Sequence, residues 1–368
     1  MGIPEKIQSI KDEMAKTKLN KATEHHVGVL KAKLAKLKRE QEEKKSKSST
    51  SSKGFDVKRM GDATVVIIGL PSVGKSTLLN RLTNAKSAVA VHQFTTVTVV
   101  PGIMDYKGAR IQVLDLPGII KGASSGKGLG RRVLSVARSA DLVLLVLDVF
   151  QPYLENVLRT ELANIGIRLD ELPPNILIEK TGVGGIGVVQ QVKLTKMTTS
   201  LLKDILRVYG INNARVVIRE DIDSDQLIHY ISGNTTYAQS VTVMNKIDLV
   251  NQGFVNELQE KSKFKFIPVS ADANVNLTAL KEKIFEHLNF IRVYMRPKGG
   301  KTDFEEPLIV RRDSTILEVC NKLHRQMKRQ FRFGMVWGKS VKFGGQRVGL
   351  RHILQDEDVL TIVKTRGV

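Results

Sequence analysis

Residues 69–77 read Gly-Leu-Pro-Ser-Val-Gly-Lys-Ser-Thr, a run whose residue types and spacing suit the binding of a phosphate chain. It fits the pattern G-x-x-x-x-G-K-[ST], in which glycines allow backbone N–H groups to point at phosphate oxygens. The start of the following helix adds its positive end to the same place. In this pattern Lys75 reaches the β- and γ-phosphates, and the Ser76 hydroxyl binds Mg²⁺. The run therefore predicts a nucleoside triphosphate site.

Three further segments follow apolar runs, in the order that a nucleotide site needs. Asp115-Leu-Pro-Gly118 supplies a carboxylate that can hold Mg²⁺ through water and, at Gly118, an N–H that can sense the γ-phosphate. Asn245-Lys-Ile-Asp248 and then Ser270-Ala-Asp272 come later in the chain. A lone Asn-Lys-x-Asp also forms ordinary turns, but four signals in one order favour a nucleotide site.

The Asn245–Asp248 segment predicts which base is bound. The Asp248 carboxylate offers two acceptors to the N1–H and 2-amino group of guanine. Adenine lacks this donor pair and would leave a buried carboxylate unpaired, which is costly. We expect Asn245 to brace the loops and the Lys246 stem to lie along the base. The loop at residues 270–272 is placed to meet the guanine oxygen through backbone N–H groups.

Two segments between the phosphate loop and the base motifs have the composition of switches. Residues 92–102 contain three threonines, and we predict that Thr96 contacts Mg²⁺ and the γ-phosphate when GTP is bound. The alternative is that these threonines are only β-formers in a strand. The segment 118–132 contains five glycines, which suits a second switch ordered by the γ-phosphate.

The residues that catalyse hydrolysis are harder to assign than those that bind the nucleotide. We assign the catalytic role to Lys75, Thr96 and Gly118. The residue after Asp-x-x-Gly is Ile119, where many small GTPases have a glutamine that orients water. Because isoleucine cannot hydrogen-bond water, intrinsic hydrolysis should be slow, or should depend on a partner, a monovalent cation or another switch residue.

The motifs require strands that end where each motif begins. Such apolar, β-rich runs are Thr64–Ile68, Ile111–Leu114, Leu142–Leu147, Val241–Met244 and Phe266–Val269. Together they predict an α/β fold with a doubly wound sheet. The gap before Val241 is far longer than one helix, which predicts a small inserted α+β domain at residues 165–238. Within it a helix is expected at Leu201–Val208 and a strand at Arg215–Ile218.

The two ends of the chain predict separate modules. Residues 3–47 have apolar positions at helical spacing and predict a hairpin of two helices, with a flexible linker at Lys44–Lys53. Each helix has one narrow apolar stripe, which must bury against its partner helix, the body of the protein or a bound protein. After a core helix at Thr278–Leu288, the C-terminal segment predicts a ubiquitin-like β-grasp module. Its expected elements are strand Leu308–Val310, helix Thr315–Gln326, strand Val336–Val341 and strand Val359–Val363.

The predicted boundaries divide the chain into five segments. They are 1–55 (helical hairpin and linker), 56–164 (first part of the nucleotide-binding core), 165–238 (insertion), 239–291 (second part of the core) and 292–368 (β-grasp module).

The formal charge of +21 is concentrated at the two ends. Residues 1–55 contain 14 Lys/Arg against 7 Asp/Glu, and residues 292–368 contain 17 against 8. Charge outside the nucleotide-binding core favours a polyanionic partner, most simply RNA, although solvated surfaces are the alternative. Lys328, Arg329 and Arg332 alternate with aromatic residues and form a patch that RNA could contact. Phe331 and Phe333 in that patch would otherwise be core residues, and for Phe331 both interpretations stay open.

Composition also limits the cellular setting. A single cysteine, Cys320, excludes an intrachain disulfide and favours a reducing, cytoplasmic location, and we interpret it as a core residue. No run approaches the ~18 apolar residues of a membrane span, so we expect no membrane partner.

With these motifs in place, the chain resembles the developmentally regulated GTP-binding protein family, within the wider Obg-like GTPases. The residues that carry the resemblance include the phosphate loop, Phe94-Thr-Thr-Val-Thr98, Asp115–Ile119 and Asn245–Asp248. The N-terminal run from Asn20 to Leu37 is the most specific, because most GTPases lack it. Nearly the whole chain is covered.

The resemblance implies a P-loop GTPase core with an N-terminal helical hairpin, an inserted domain and a C-terminal TGS domain. It implies GTP hydrolysis, association with translating ribosomes, a stabilising protein partner and, in some members, stimulation by K⁺. Ser72 stands where cation-dependent relatives often have Asn, so K⁺ activation is a hypothesis to be tested by comparing turnover in potassium and in sodium. The inserted residues 178–183 also differ, since the family tends to be lysine-rich there.

Carried over by position, the resemblance implies contacts to GTP or GDP and to Mg²⁺. The implied nucleotide contacts are Gly69, Pro71, Ser72, Val73, Gly74, Lys75, Ser76, Thr77, Phe94, Thr95, Thr96, Asp115, Gly118, Asn245, Lys246, Asp248, Ser270 and Ala271. The Mg²⁺ ligands would be Ser76 and Thr96, with Asp115 acting through water.

Three functions remain open from the sequence. The first is a GTPase that acts as a switch on or near the ribosome. The second is a nucleotide-gated RNA-binding protein with negligible hydrolysis, which Ile119 and the terminal charge suggest. A GTPase in metal or tRNA-modification chemistry is a third, and the lack of Cys/His clusters argues against its metal branch.

Overall fold

The structure is a computed structural model that describes residues 2–18, 20, 23–48, 59–83, 100–116, 136–233, 235–324 and 326–365. The helices with defined bounds are α1 (Ile3–Lys16), α2 (Glu24–Ser48), α3 (Lys75–Leu82), α4 (Leu154–Asn164), α5 (Thr199–Val208), α6 (Ser224–Ser232), α7 (Gln252–Lys261), α8 (Leu277–His287), α9 (Ile316–Leu323) and α10 (Met327–Gln330). The strands are β1 (Ala63–Gly69), β2 (Val100–Tyr106), β3 (Ala109–Asp115), β4 (Leu142–Asp148), β5 (Ile167–Leu169), β6 (Ile176–Lys180), β7 (Ile186–Gln190), β8 (Ala214–Ile218), β9 (Thr236–Asn245), β10 (Ile267–Pro268), β11 (Phe290–Met295), β12 (Leu308–Arg311), β13 (Phe331–Trp337), β14 (Gln346–Val348) and β15 (Asp358–Lys364).

The largest sheet has the strand order β10-β9-β4-β1-β3-β2, and β5 also pairs with β9. Its central strands run parallel, whereas β2 is an antiparallel edge strand joined to β3 by a tight turn. β1 and β4 are buried along almost their whole length, which explains why both read as continuous apolar runs. The predicted α/β fold class is confirmed.

The chain divides into two compact units, one of residues 1–55 and 166–237 and the other of residues 56–165 and 238–368. In the first unit the sheet order is β6-β8-β7, and α5 and α6 pack together. Helix α2 packs on both of these helices, and Ala32 is fully buried in the same hydrophobic cluster as Leu201 and Leu202. The apolar stripe of α2 therefore lies against the inserted segment.

In the second unit a five-stranded sheet has the order β12-β11-β15-β13-β14. Helix α9 covers one face of it, where Ile316, Val319 and Cys320 are fully buried. The core interpretation of Cys320 is confirmed. Two ion pairs attach this module to the nucleotide-binding sheet: Lys322 to Asp62 at 2.7 Å and Arg311 to Asp141 at 2.5 Å.

Three local predictions were wrong. Helix α2 continues to Ser48, so residues 44–48 are helical and not part of the expected linker, because lysine and glutamate are good helix formers. Helix α9 ends at Leu323 rather than Gln326, since His324 has an extended backbone. The strand expected at Val336–Val341 is Phe331–Trp337, and Gly338, with φ +147°, ends it. Among the described residues no helix combines the length and apolar character needed to span a membrane.

Candidate nucleotide-binding site

The predicted phosphate, magnesium and base motifs follow strands of the same sheet. β1, β3, β4, β9 and β10 pair in parallel, so their carboxyl ends lie at one edge. In open α/β sheets this edge is where ligands bind. The structure therefore brings the phosphate loop, Asp115, the Asn245 segment and the Ser270 segment to one side of the sheet.

The phosphate loop turns tightly between β1 and α3. Gly74 has φ +90°, and a Cβ there would lie 2.3 Å from the side-chain nitrogen of Asn245. A Cβ on Gly69 would lie 2.4 Å from the carbonyl oxygen of Val146. Both glycines are thus required by close approach of neighbouring groups. Ser72, at the exposed tip, has φ +64°.

Lys75 lies inside this loop and is only 7% exposed. Its Nζ donates to the carbonyl oxygen of Leu70 at 2.7 Å. Burial lowers the pKa of the ammonium group, and the nearby Asp115 carboxylate opposes this effect. Lys75 makes no direct ion pair among the described residues, so the oxygens of a phosphate chain would be its first contacting counter-charge.

The predicted magnesium ligands Ser76 and Asp115 are in contact. The Ser76 hydroxyl donates to Asp115 Oδ2 at 2.8 Å. Asp115 Oδ1 is buried and has no hydrogen-bond partner among the described residues. A hydroxyl and a carboxylate with one unused oxygen form the hard oxygen set that Mg²⁺ prefers. The residues present therefore fit this ion.

Asn245 connects the loops of the site. Its Nδ2 donates to the carbonyl oxygen of Val73 at 2.8 Å, and its Oδ1 accepts from the N–H of Ala271 at 3.0 Å. Asn245 is 2% exposed, so these bonds are protected from water. One side chain thus fixes the distance between the phosphate loop and the Ser270 segment.

The base-side residues lie in the turns that follow β9 and β10. Asp248 is exposed in a short 3₁₀ turn after β9. Ser270 is fully buried, and its hydroxyl accepts from the N–H of Ala273 at 3.0 Å. This bond holds the turn whose backbone N–H groups were predicted to contact the base.

Asp148 is a candidate site residue that the sequence analysis missed. It ends β4 directly opposite Asn245, and its Oδ2 lies 2.7 Å from Lys246 Nζ. Its Oδ1 accepts from the N–H of Phe150 at 3.0 Å. Lys246 has φ +66°, an uncommon backbone conformation for a residue with a Cβ, so the ion pair helps to hold it. The available signal was an aspartate at the end of a wholly apolar strand.

Some predicted residues lie outside the part of the chain that the structure describes. These are Phe94, Thr95, Thr96 and Gly118, together with Ile119. Pro71 and Thr77 lie in the described phosphate loop and helix α3, respectively.

A glycine loop, a serine–aspartate pair and a base-side aspartate on one edge of a parallel sheet define a P-loop GTPase. Three family models match the chain: a 50S ribosome-binding GTPase at residues 64–180, the C-terminal region of that domain class at 183–290, and a TGS domain at 291–364.

Named relatives match over nearly the full length. An uncharacterized GTP-binding protein of Methanocaldococcus jannaschii is 53% identical and covers 100% of this chain and 94% of its own. The developmentally-regulated GTP-binding protein 2 homolog of Dictyostelium discoideum is 45% identical, over 99% of this chain and 100% of its own. The G domain of the T. maritima FeoB iron transporter aligns with 61% of this chain and 98% of its own, at 20% identity and a TM-score of 0.31. The chain belongs to the developmentally regulated GTP-binding protein family.

Proposed function

We propose that this protein binds GTP and Mg²⁺ at the sheet edge, hydrolyses GTP to GDP and phosphate, and acts in the cytoplasm as a switch associated with the ribosome or RNA. The observation that carries the proposal is Asn245, which holds the phosphate loop and the base-side turn together through bonds of 2.8 and 3.0 Å. The match to a ribosome-binding GTPase family supports the same conclusion.

The chain's own residues have separable roles in this proposal. Lys75 would exchange its bond to the Leu70 carbonyl for the β- and γ-phosphate oxygens and stabilise the charge that develops during transfer. Ser76 and Asp115 would hold the metal, which supplies positive charge to the phosphates when bound. Asp248 would select guanine. Thr96 and Gly118 would respond to the γ-phosphate.

A combination of calorimetry and single-turnover kinetics tests the proposal. GTP should bind much more tightly than ATP, and phosphate release should exceed the uncatalysed rate. Lys75→Ala should abolish that release. Lys107→Ala is the matched control, because Lys107 lies in the turn between β2 and β3 and pairs with Glu282 of α8 rather than with a residue of the site.

The experiment also separates the two candidate functions. Tight GTP binding with phosphate release at only the uncatalysed rate would favour the second candidate, a nucleotide-gated RNA-binding protein, as Ile119 suggests. Equal affinity for ATP and GTP would overturn the proposed base site. Comparing potassium with sodium in the same assay tests cation stimulation.

A further inference from the structure

The C-terminal sheet has one face that helix α9 does not cover. Along β13, Val336 is fully buried in the core, and a Cβ on Gly334 would lie 3.0 Å from Ile316 of α9. Side chains alternate between the two faces of a strand. Phe333, Met335 and Trp337 therefore lie on the opposite face, where each ring or chain is partly exposed.

Three arginine side chains lie against the aromatic rings of this region. The guanidinium carbon of Arg296 is 4.8 Å from the centre of the Trp337 ring. Those of Arg347 and Arg332 are 4.7 and 5.9 Å from the centre of the Phe333 ring. Arg332 lies at a register shift between Phe331 and Phe333, where strict alternation of side chains is interrupted. We call these five residues the arginine–aromatic face.

The three arginines keep their charge available. Within the described residues none of them has a carboxylate at ion-pair distance. Other arginines of the same module are paired: Arg292 lies 2.7 Å from Asp356, and Arg311 lies 2.5 Å from Asp141. The backbone carbonyl of Gly300 accepts from Arg296 Nε at 3.1 Å, which leaves that guanidinium positioned but not neutralised.

We propose that the arginine–aromatic face binds unpaired RNA, with bases stacking on the guanidinium groups of Arg347 and Arg296 and with phosphates meeting Arg332. The inference rests on the RNA-associated function proposed above and assigns it a surface and a kind of RNA. A guanidinium attracted to an aromatic ring can offer its other side to a base and its N–H edge to a phosphate.

The chemistry favours single-stranded over duplex RNA. Duplex RNA is recognised mainly through its shape, its 2′-hydroxyls and its phosphates, because its bases are stacked on each other. Stacking on aromatic and guanidinium planes needs bases that are free of a partner. From Phe333 to Trp337 the strand rises about 13 Å, a length that suits a few extended nucleotides.

The surrounding charges indicate where on the sheet the RNA lies. Phe304, which contacts Tyr294 at 5.1 Å between ring centres, is flanked by Asp303, Glu305 and Glu306. That end would repel phosphates. At the other end, Lys364 pairs with Phe331 across the sheet, and Lys328 and Arg329 lie on α10 nearby in sequence. We therefore place the phosphates near Arg332 and the bases towards Trp337 and Arg296.

The test is binding of the full-length chain to a labelled oligouridylate, measured by fluorescence anisotropy. Arg347→Lys keeps the charge but removes the planar group, so affinity should fall about tenfold, within the range for losing one stacked base. Its salt dependence should stay the same, because the charge is unchanged. Arg312→Lys, in the turn after β12 at the other edge of the sheet, is the matched control and should bind as the parent does.

Two further probes test whether the arginine–aromatic face binds duplex RNA or an acidic protein instead. A blunt RNA duplex of the same length should bind more weakly and should not respond to Arg347→Lys. An oligoglutamate peptide that competes as well as the RNA would overturn the proposal in favour of an acidic protein. Unchanged oligouridylate affinity in Arg347→Lys, with GTP binding intact in both proteins, would overturn this surface alone. Absence of any RNA or ribosome binding by the parent chain would instead remove the RNA-associated function.

Discussion

Asp248 is exposed in the turn after β9, whereas its neighbours Asn245 and Lys246 are already paired with other groups, which makes Asp248 the residue that can discriminate between bases. Asp248→Asn replaces one of the two acceptors with a donor. We expect preference to shift from guanine towards xanthine nucleotides, whose ring offers an acceptor in place of the 2-amino donor. Competition calorimetry with GTP and XTP measures the shift. Unchanged selectivity would mean that another group reads the base.

The ion pair between Asp148 and Lys246 gives a second prediction for a single residue. Asp148→Asn keeps an oxygen for the Phe150 N–H but loses the charge that holds Lys246. A hydrogen bond to a charged group contributes about 1.5 kcal/mol or more, so we expect roughly tenfold weaker nucleotide binding. GTP and GDP should weaken together, because the contact is on the base side.

Asp105→Asn is the matched control for that experiment, because its partner Arg110 is 3.8 Å away and both side chains are largely exposed. Exposed pairs of this kind contribute little. If Asp148→Asn changed GTP affinity but not GDP affinity, Asp148 would act on the γ-phosphate side and our assignment would be wrong.

Most of the candidate site could be predicted because its motifs are local. The glycines, Lys75, Ser76 and the Asn245–Asp248 run each carry their chemistry in a few consecutive residues. Asp148 could not be assigned in this way. Its partner, Lys246, lies about a hundred residues later, and only the parallel pairing of β4 with β9 brings the two together.

At the level of elements, the close packing of α2 on α5 depends on Gly28. A Cβ there would lie 2.9 Å from Leu201 Cδ1, at the flexible end of that side chain. Gly28→Ala should therefore be close to neutral, because a helix-propensity gain of about 1 kcal/mol offsets a small displacement. Gly28→Leu adds more atoms to a filled space and should destabilise the unit by about 1–3 kcal/mol.

Thermal and urea unfolding of the two Gly28 variants measures the balance between the gain in helix propensity and the crowding against Leu201. Both substitutions improve helix propensity, so Gly28→Ala serves as the control for propensity alone. If Gly28→Leu were no more destabilising than Gly28→Ala, α2 would not pack on α5 as described.

The sequence predicted the stripe of α2 but not what covers it. Periodicity identifies an apolar face, whereas its partner is set by contacts distant in sequence, such as those of Ala32 with Leu201 and Leu202. Polar contacts are equally non-local. Lys36 donates to the last carbonyl of α5 at 2.8 Å, and Arg39 donates to that of α6 at 3.1 Å. Lys36 and Arg39 thus donate hydrogen bonds to carbonyl groups that a helix end leaves unpaired.

For the whole molecule, the charge of +21 predicts how RNA binding should depend on salt. Each phosphate neutralised on a single strand adds about 0.7 to the negative slope of log affinity against log salt concentration. The double variant Lys328→Glu/Arg329→Glu alters two exposed residues of α10 and should weaken binding and make the slope shallower. Anisotropy or ribosome co-sedimentation across a salt series gives both quantities.

A control variant with the same change in net charge, made elsewhere on the chain, shows whether RNA binding depends on the position of the charge. Lys263→Glu/Lys265→Glu alters two exposed lysines just before β10, in the nucleotide-binding part of the chain. If the basic ends contact RNA, this control should keep the parent slope, because long-range attraction is screened beyond about 8–10 Å at physiological salt. Equal losses in the two variants would mean that RNA responds to net charge alone. Deleting residues 1–55 would not answer this question, since it also removes Ala32 from the core of the first unit.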